Sequence, residues 1–245
     1  MTKPKQMLNK CKYFGNYFGV KSFRYTFARN LVVKIYCNYK SMQEQIIEKA
    51  TEMYLTLGFK SVTMDDIANE MGISKKTIYQ HFTNKNDLVE AVTLNMFETI
   101  SCGIDQICQP EKNAIEELFE IKDFVLHKLK DEKASPIFQL QKYFPKIYKT
   151  LHGKEYCKMK ECVVTNLKKG VASGLYRPEI DIEFISLIYY SCVHALKDKT
   201  VFSSENYNFR MLEELYLDYH LRAIVTEKGL HILEKLTRNQ INHQS

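Results

Sequence analysis

The sequence predicts an all-α chain, a short three-helix unit near the N-terminus followed by a longer helical bundle. Three observations predict it. Residues 63–88 carry three helix starts and one glycine turn in a span too short for most other folds. Glycine and proline are scarce, nine and five in 245 residues, and Pro110, Pro136, Pro145 and Pro178 fall where helices should begin or end. From Met42 onward apolar residues recur at three- and four-residue steps.

The first helix, Gln43 to Leu57, places Ile46, Ile47, Ala50, Tyr54 and Leu57 inward and is closed by Gly58. Thr63 with Asp66 three positions on forms a capping box for a helix starting at Met64, whose stripe is Ile67, Ala68 and Met71. Gly72 ends it in a left-handed conformation, and Ile73 plugs the turn. Ser74 caps a short helix from Lys75 to about Phe82, which buries Ile78 and Phe82 and turns Lys76, Thr77 and Gln80 outward, with Tyr79 and His81 on its flanks. Asn84, with Asp87 at N3, opens a long helix through Leu88, Val92 and Met96 to about Ile107. Further helices are expected at Glu111–Asp131, Pro136–Phe144, Pro145–Leu151, Lys154–Ser173, Asp181–Lys197 and Asn206–Val225, with a short one after Gly229.

Two helices joined by a glycine turn, the second presenting Lys, Thr and Gln, form a helix-turn-helix suited to the major groove, where base edges display donors and acceptors. The brevity of the second helix argues that its N-terminal turn enters. Lys75, Lys76, His81 and Lys85 form the local basic cluster, and Thr63 and Lys85 stand where phosphates would be held. Net charge is a poorer guide. The chain carries +6, but residues 1–41 hold nine Lys or Arg and no acid, so the rest is net acidic.

These residues resemble the tetracycline-repressor-like (TetR) family of transcriptional regulators, through Gly58-Phe59, Thr63, Ile67-Ala68, Met71-Gly72-Ile73-Ser74, Thr77-Ile78-Tyr79, His81-Phe82 and Lys85 to Leu88. The match covers about residues 43 to 97. More loosely, Gly174-Leu175-Tyr176-Arg177 with Ile180-Asp181 is similar to the family's turn before its first dimer helix, and Thr226-Glu227-Lys228-Gly229 to a late turn in some members. The resemblance adds Tyr79 and His81 as DNA contacts. It also implies an effector pocket between about residues 97 and 196, for which Phe138, Tyr143, Phe144, Tyr148 and Tyr189, with His127 or His194, are the candidates.

Residues 42–97 thus read as the DNA-binding domain, and 98–245 as the domain for effector binding and dimerisation. Two helices in the latter are too apolar to bury one face only. A twofold partner would cover Phe184, Ile188 and Cys192 on one, and Leu212, Leu215 and Tyr219 on the other, making a four-helix interface. Residues 1–41 have two readings, a basic aromatic arm tracking phosphates or upstream sequence read in frame from A+T-rich codons. The second is favoured.

Seven irregularly spaced cysteines give no metal signature, and their use suits reduced thiols in a cytoplasm. The longest apolar run, Phe184 to Val193, is about half a bilayer span. No acid–base pair, activated nucleophile, phosphate loop or metal box is visible, so no enzyme, cofactor or metal is expected. The expected partners are a double-stranded DNA operator of pseudo-palindromic form, a second copy of the chain and a small hydrophobic or amphipathic effector, with the protein acting as a repressor that the effector releases. The alternatives are an activator, or a helical carrier without operator-specific binding.

Overall fold

A computed structural model describes residues 40–108, 112–129, 136–198, 201–203 and 205–244, the last six of these as backbone only. The leader up to residue 39, Pro110 and the ends of the helix expected at Glu111–Asp131 lie outside the described residues. Among the described residues there are ten helices: α1 Met42–Leu57, α2 Met64–Met71, α3 Lys75–His81, α4 Lys85–Ile107, α5 Ala114–Lys128, α6 Pro136–Tyr143, α7 Pro145–Ala172, α8 Ile182–Ala195, α9 Phe209–Ile224 and α10 Glu227–Gln244. The chain is all-α; the one β feature described is an isolated bridge between Tyr176 and Val225. No described helix is long and apolar enough to cross a membrane.

The caps form as the sequence dictates. Thr63 Oγ1 accepts from the Asp66 amide at 3.1 Å, and the Asp66 carboxylate accepts from the Thr63 amide at 2.8 Å, closing the box. Gly72 is left-handed at φ 64°, its N–H donating to Asn69 O while Ile73 N–H donates to Ala68 O, the paired bonds of a Schellman turn. Ser74 and Asn84 accept from Thr77 and Asp87 amides, both at 3.1 Å.

Three expectations need correction. Leu57 does not face inward: it is 55% exposed, and Leu55 takes the buried place. The helices expected at Pro145–Leu151 and Lys154–Ser173 are one helix, α7, which runs through Gly153. A mid-helix glycine costs only about 1 kcal/mol relative to alanine, less than packing returns along 28 residues. Similarly the short helix after Gly229 is α10, of 18 residues, beginning before that glycine, whose N–H donates to Thr226 Oγ1 at 3.2 Å. Gly229 is needed for close approach, since a Cβ there would stand 2.2 Å from Leu175 O.

The core of the C-terminal part gathers Ile115, Phe119, Leu167, Tyr176, Leu217, Leu221 and Ile224. Within it Asn166 donates to Ala114 O and Glu117 Oε1, both at 2.8 Å, and accepts from the Tyr176 hydroxyl at 3.0 Å, while Lys169 holds the other Glu117 oxygen at 2.8 Å. The two turns singled out in the sequence meet: Arg177 N–H donates to Ile224 O and Thr226 N–H to Leu175 O, each at 2.9 Å. That junction fixes α8 and α10 against α9.

Candidate nucleic-acid interface and effector region

α3 is held on its inner side by Ile78, fully buried, with Phe82 just beyond it at 5% exposure. Its outer side then follows from helical geometry. Lys76, Tyr79, Gln80 and His81 are exposed and Thr77 is half-buried. The remaining polar residues are already engaged. The Ser74 and Thr77 hydroxyls share a hydrogen bond of 2.8 Å. Lys75 pairs with Asp65 of α2 at 2.8 Å, and that hydrogen bond raises its pKa. Lys85 reaches back 3.1 Å to the carbonyl of Lys60, and partial burial lowers its pKa. The surface cations divide accordingly into Lys76, which projects freely from α3, and Lys75 and Lys85, which brace the unit.

Below the unit, α6 packs against the α1–α2 turn. Gly58 there has φ 90°, and a Cβ would meet the Gln139 side chain at 2.3 Å. The Lys60 amide donates to Gln139 Oε1 at 2.9 Å, and Phe59 meets the Phe144 ring edge-on at 6.3 Å.

Comparison with known proteins agrees with this geometry. Residues 46–92 match the family model described as bacterial regulatory proteins, tetR family. The HTH-type transcriptional repressor KstR2 of Mycolicibacterium smegmatis is 26% identical over 157 residues, covering 59% of this chain and 72% of that protein. The HTH-type transcriptional activator FasR of the same organism is 31% identical over 90 residues, 34% of this chain and 40% of its own. Residues 46–92 are thus the helix-turn-helix region of the TetR family of transcriptional regulators. The structure of KstR2 from Mycobacterium tuberculosis superposes with a TM-score of 0.52 over 78% of this chain and 98% of that one, at 19% identity, which shows a shared fold.

The residues expected to line one aromatic pocket are dispersed. His127 is exposed near the end of α5, Phe138 is 61% exposed and Tyr143 39% exposed on α6, and Phe144 packs on Phe59. The physical reason is that α6 turns these rings toward the DNA-binding unit and solvent rather than toward α7 and α8. Two aromatic–histidine groups do form. In one, His152 of α7 lies 4.9 Å from His194, 5.6 Å from Tyr148 and 5.9 Å from Tyr190 (ring centroids), and the Tyr190 hydroxyl is 3.0 Å from His152 Nε2. Burial pushes His194 down to about 4, with Lys197 and His152 adding to the effect, and burial raises Tyr190 to about 12. In the other, Tyr189 stacks near His220 at 4.9 Å and Tyr216 at 5.7 Å, with burial lowering His220 to about 4 and raising nearby Glu213 to about 7. Sequence reasoning missed His152, Tyr156, Tyr190, Tyr216 and His220; i, i+4 spacing of Tyr148, His152 and Tyr156 was the available signal.

A separate open cleft of about 680 Å³ between α4 and α7 is lined by Phe97, Lys149, Thr150, Gly153, Lys154, Cys157, Lys158 and Glu161, none of them expected. On α8 and α9, Phe184 at 57%, Leu187 at 39%, Ile188 at 40%, Met211 at 44%, Leu215 at 54% and Tyr219 at 73% exposure leave a broad apolar surface. Cys192 is half-buried. Leu212 is a correction: at 6% exposure it packs inside its own chain, because it sits one position round the helix from exposed Met211.

Proposed function

We propose that the protein is a homodimeric repressor that binds a pseudo-palindromic operator through α3 and is released by a small hydrophobic or amphipathic effector. The observation that carries it is the outward set Lys76, Tyr79, Gln80 and His81 on a helix whose other side is locked by Ile78. In this reading Lys76 and Gln80 read base edges, and Thr77 sits between the two sides. Tyr79 and His81 contact bases or backbone, and Thr63, Ser74, Lys75 and Lys85 position the unit on phosphates. The relatives include a protein named repressor and one named activator, so the sign of regulation rests on the first, which spans more of the chain.

The apolar surface of Phe184, Ile188, Leu215 and Tyr219 supports a twofold interface, since a contiguous patch of such rings and branched chains is costly in water. Pairing also provides the second half-site that a seven-residue reader needs. For the effector, the His152–Tyr190–His194 group and the α4–α7 cleft take the place of the dispersed rings, and α4, which lines the cleft through Phe97, starts next to α3, so that movement at its far end tilts the reader. The compartment proposed is the cytoplasm, where such DNA lies.

A duplex enriched by the wild-type chain from a randomised pool tests the reading. Tyr79→Ala and Lys76→Ala should each weaken binding to it by about 2 kcal/mol with unchanged thermal midpoints. Wild-type affinity in both variants overturns the assignment of α3. Light scattering on the eluting peak at micromolar concentration should give twice the chain mass; a monomer sinks the dimer.

A further inference from the structure

Several lysines of this chain are already ion-paired. Lys49, Lys75, Lys112, Lys158 and Lys160 each hold a carboxylate of the same chain. Two that are not ion-paired among the described residues lie together at the seam between the DNA-binding unit and α6. Lys60 Nζ stands 4.9 Å from the centre of the Tyr143 ring, and Lys142 Nζ lies 5.5 Å from the same ring and 5.7 Å from that of Phe138. Lys60, Lys142, Tyr143 and Phe138 are all exposed. The cluster is continuous with the reader: the Lys60 carbonyl accepts from Lys85, and Thr63 begins α2 only three residues further on. It is also rigidly placed, because Gln139, on the same helix as Lys142, accepts from the Lys60 amide.

We propose that Lys60, Lys142 and Tyr143 form a second contact with the DNA phosphate backbone, by which α6 extends each half-site footprint beyond the helix-turn-helix. This rests on the operator-binding reading above. Two cations held over a phenol ring whose hydroxyl is free to donate present the groups that grip phosphates without reading sequence. Residues 42–97 are themselves net acidic, with five lysines against eight acids, so an exposed cationic patch beside the reader has duplex DNA as its fitting partner. The aromatic supports keep the ammonium groups from folding back onto acids, and each phosphate neutralised releases counterions.

The salt dependence of binding to the duplex enriched by the wild-type chain measures this directly. Each phosphate contact contributes about 0.9 to the slope of log affinity against log salt. Lys142→Ala should therefore flatten the slope by about two for a dimer and lose several-fold in affinity at intermediate salt, and ethylation interference should lose phosphates at the edge of each half-site. Lys142→Gln repeats the test with the side-chain stem retained. Lys168→Ala, which removes an exposed lysine near the other end of α7, should leave slope and footprint unchanged. An unchanged slope in both Lys142 variants, or an equal loss in Lys168→Ala, overturns the proposal while leaving the operator reading intact. Failure of the wild-type chain to enrich any duplex overturns both.

Discussion

The DNA-binding unit and the helical body settle their polar groups in opposite ways. In residues 63–87 every side-chain capping bond spans three positions and sits in water: Thr63 with Asp66, Ser74 with Thr77, Asn84 with Asp87. In the body the decisive bonds are buried and distant, Asn166 to Ala114 and Glu117 across about fifty positions, then to Tyr176. Local exposed bonds contribute little each and can be lost singly. A buried network is costly to break, because each partner left behind has exchanged water for a single protein contact.

The largest expected effect tests that asymmetry. Asn166→Ala leaves the Ala114 carbonyl, the Tyr176 hydroxyl and one Glu117 oxygen without their buried partner. Equilibrium urea denaturation should show a loss of about 4 kcal/mol. A loss below about 1 kcal/mol would mean that water reaches the network, and the contrast between the two regions would collapse.

The same contrast explains what could be read from the chain. Thr63, Gly72, Ser74 and Asn84 are legible because cap chemistry acts over three residues, so spacing alone specifies it. Ile67, Ile78 and Leu88 are legible as stripes. Asn166 reads as one more polar residue on a helix, since nothing local says that Glu117 will lie beside it. The ring clusters failed for a related reason: Phe138 and Tyr143 have the spacing of core residues, but what decides their exposure is that Gln139 and Phe144 dock α6 on the α1–α2 turn. Gly153 failed because helix propensity is a weak prior against the packing of a long helix.

A smaller effect lies in the pH response of the body, where buried His220 and half-buried Glu213 on α9 oppose each other. His220 titrates at about 4 in the fold against 6.5 for the ordinary group, so the unfolded chain binds the proton first. Its contribution is complete above pH 6.5 and is lost as pH falls toward 4. Glu213 titrates at about 7 in the fold against 4.5, so its contribution is complete below pH 4.5 and is lost as pH rises through 7. Glu213→Gln removes one side of this opposition. Because His194 titrates at about 4 in every variant, the test lies in differences from the wild type: Glu213→Gln should lose up to about 3 kcal/mol more than the wild type between pH 6.5 and 4, and His220→Gln a similar amount less. Urea midpoints at three pH values check it, and parallel wild-type and variant curves would show that neither group is shielded from water.

The smallest effect belongs to the capping box, and it sharpens the comparison from the other side. Thr63→Ala removes the acceptor for the Asp66 amide and the hydroxyl that Asp66 accepts from, though the Thr63 backbone N–H still reaches that carboxylate. Both hydrogen bonds lower the Asp66 pKa, the backbone one more, so part of the restraint survives the substitution. The expected cost is about 1 kcal/mol, and Thr63→Ser, which keeps the hydroxyl, should recover most of it. Operator binding separates a cap from a phosphate contact at this residue. If Thr63 only caps, the affinity lost by Thr63→Ala should track the unfolding of α2 and vanish at low temperature. An affinity loss that persists where α2 is fully folded would put the hydroxyl on DNA, and an exposed cap would then be doing at the surface what the buried network does inside, joining a fold requirement to a contact in one side chain.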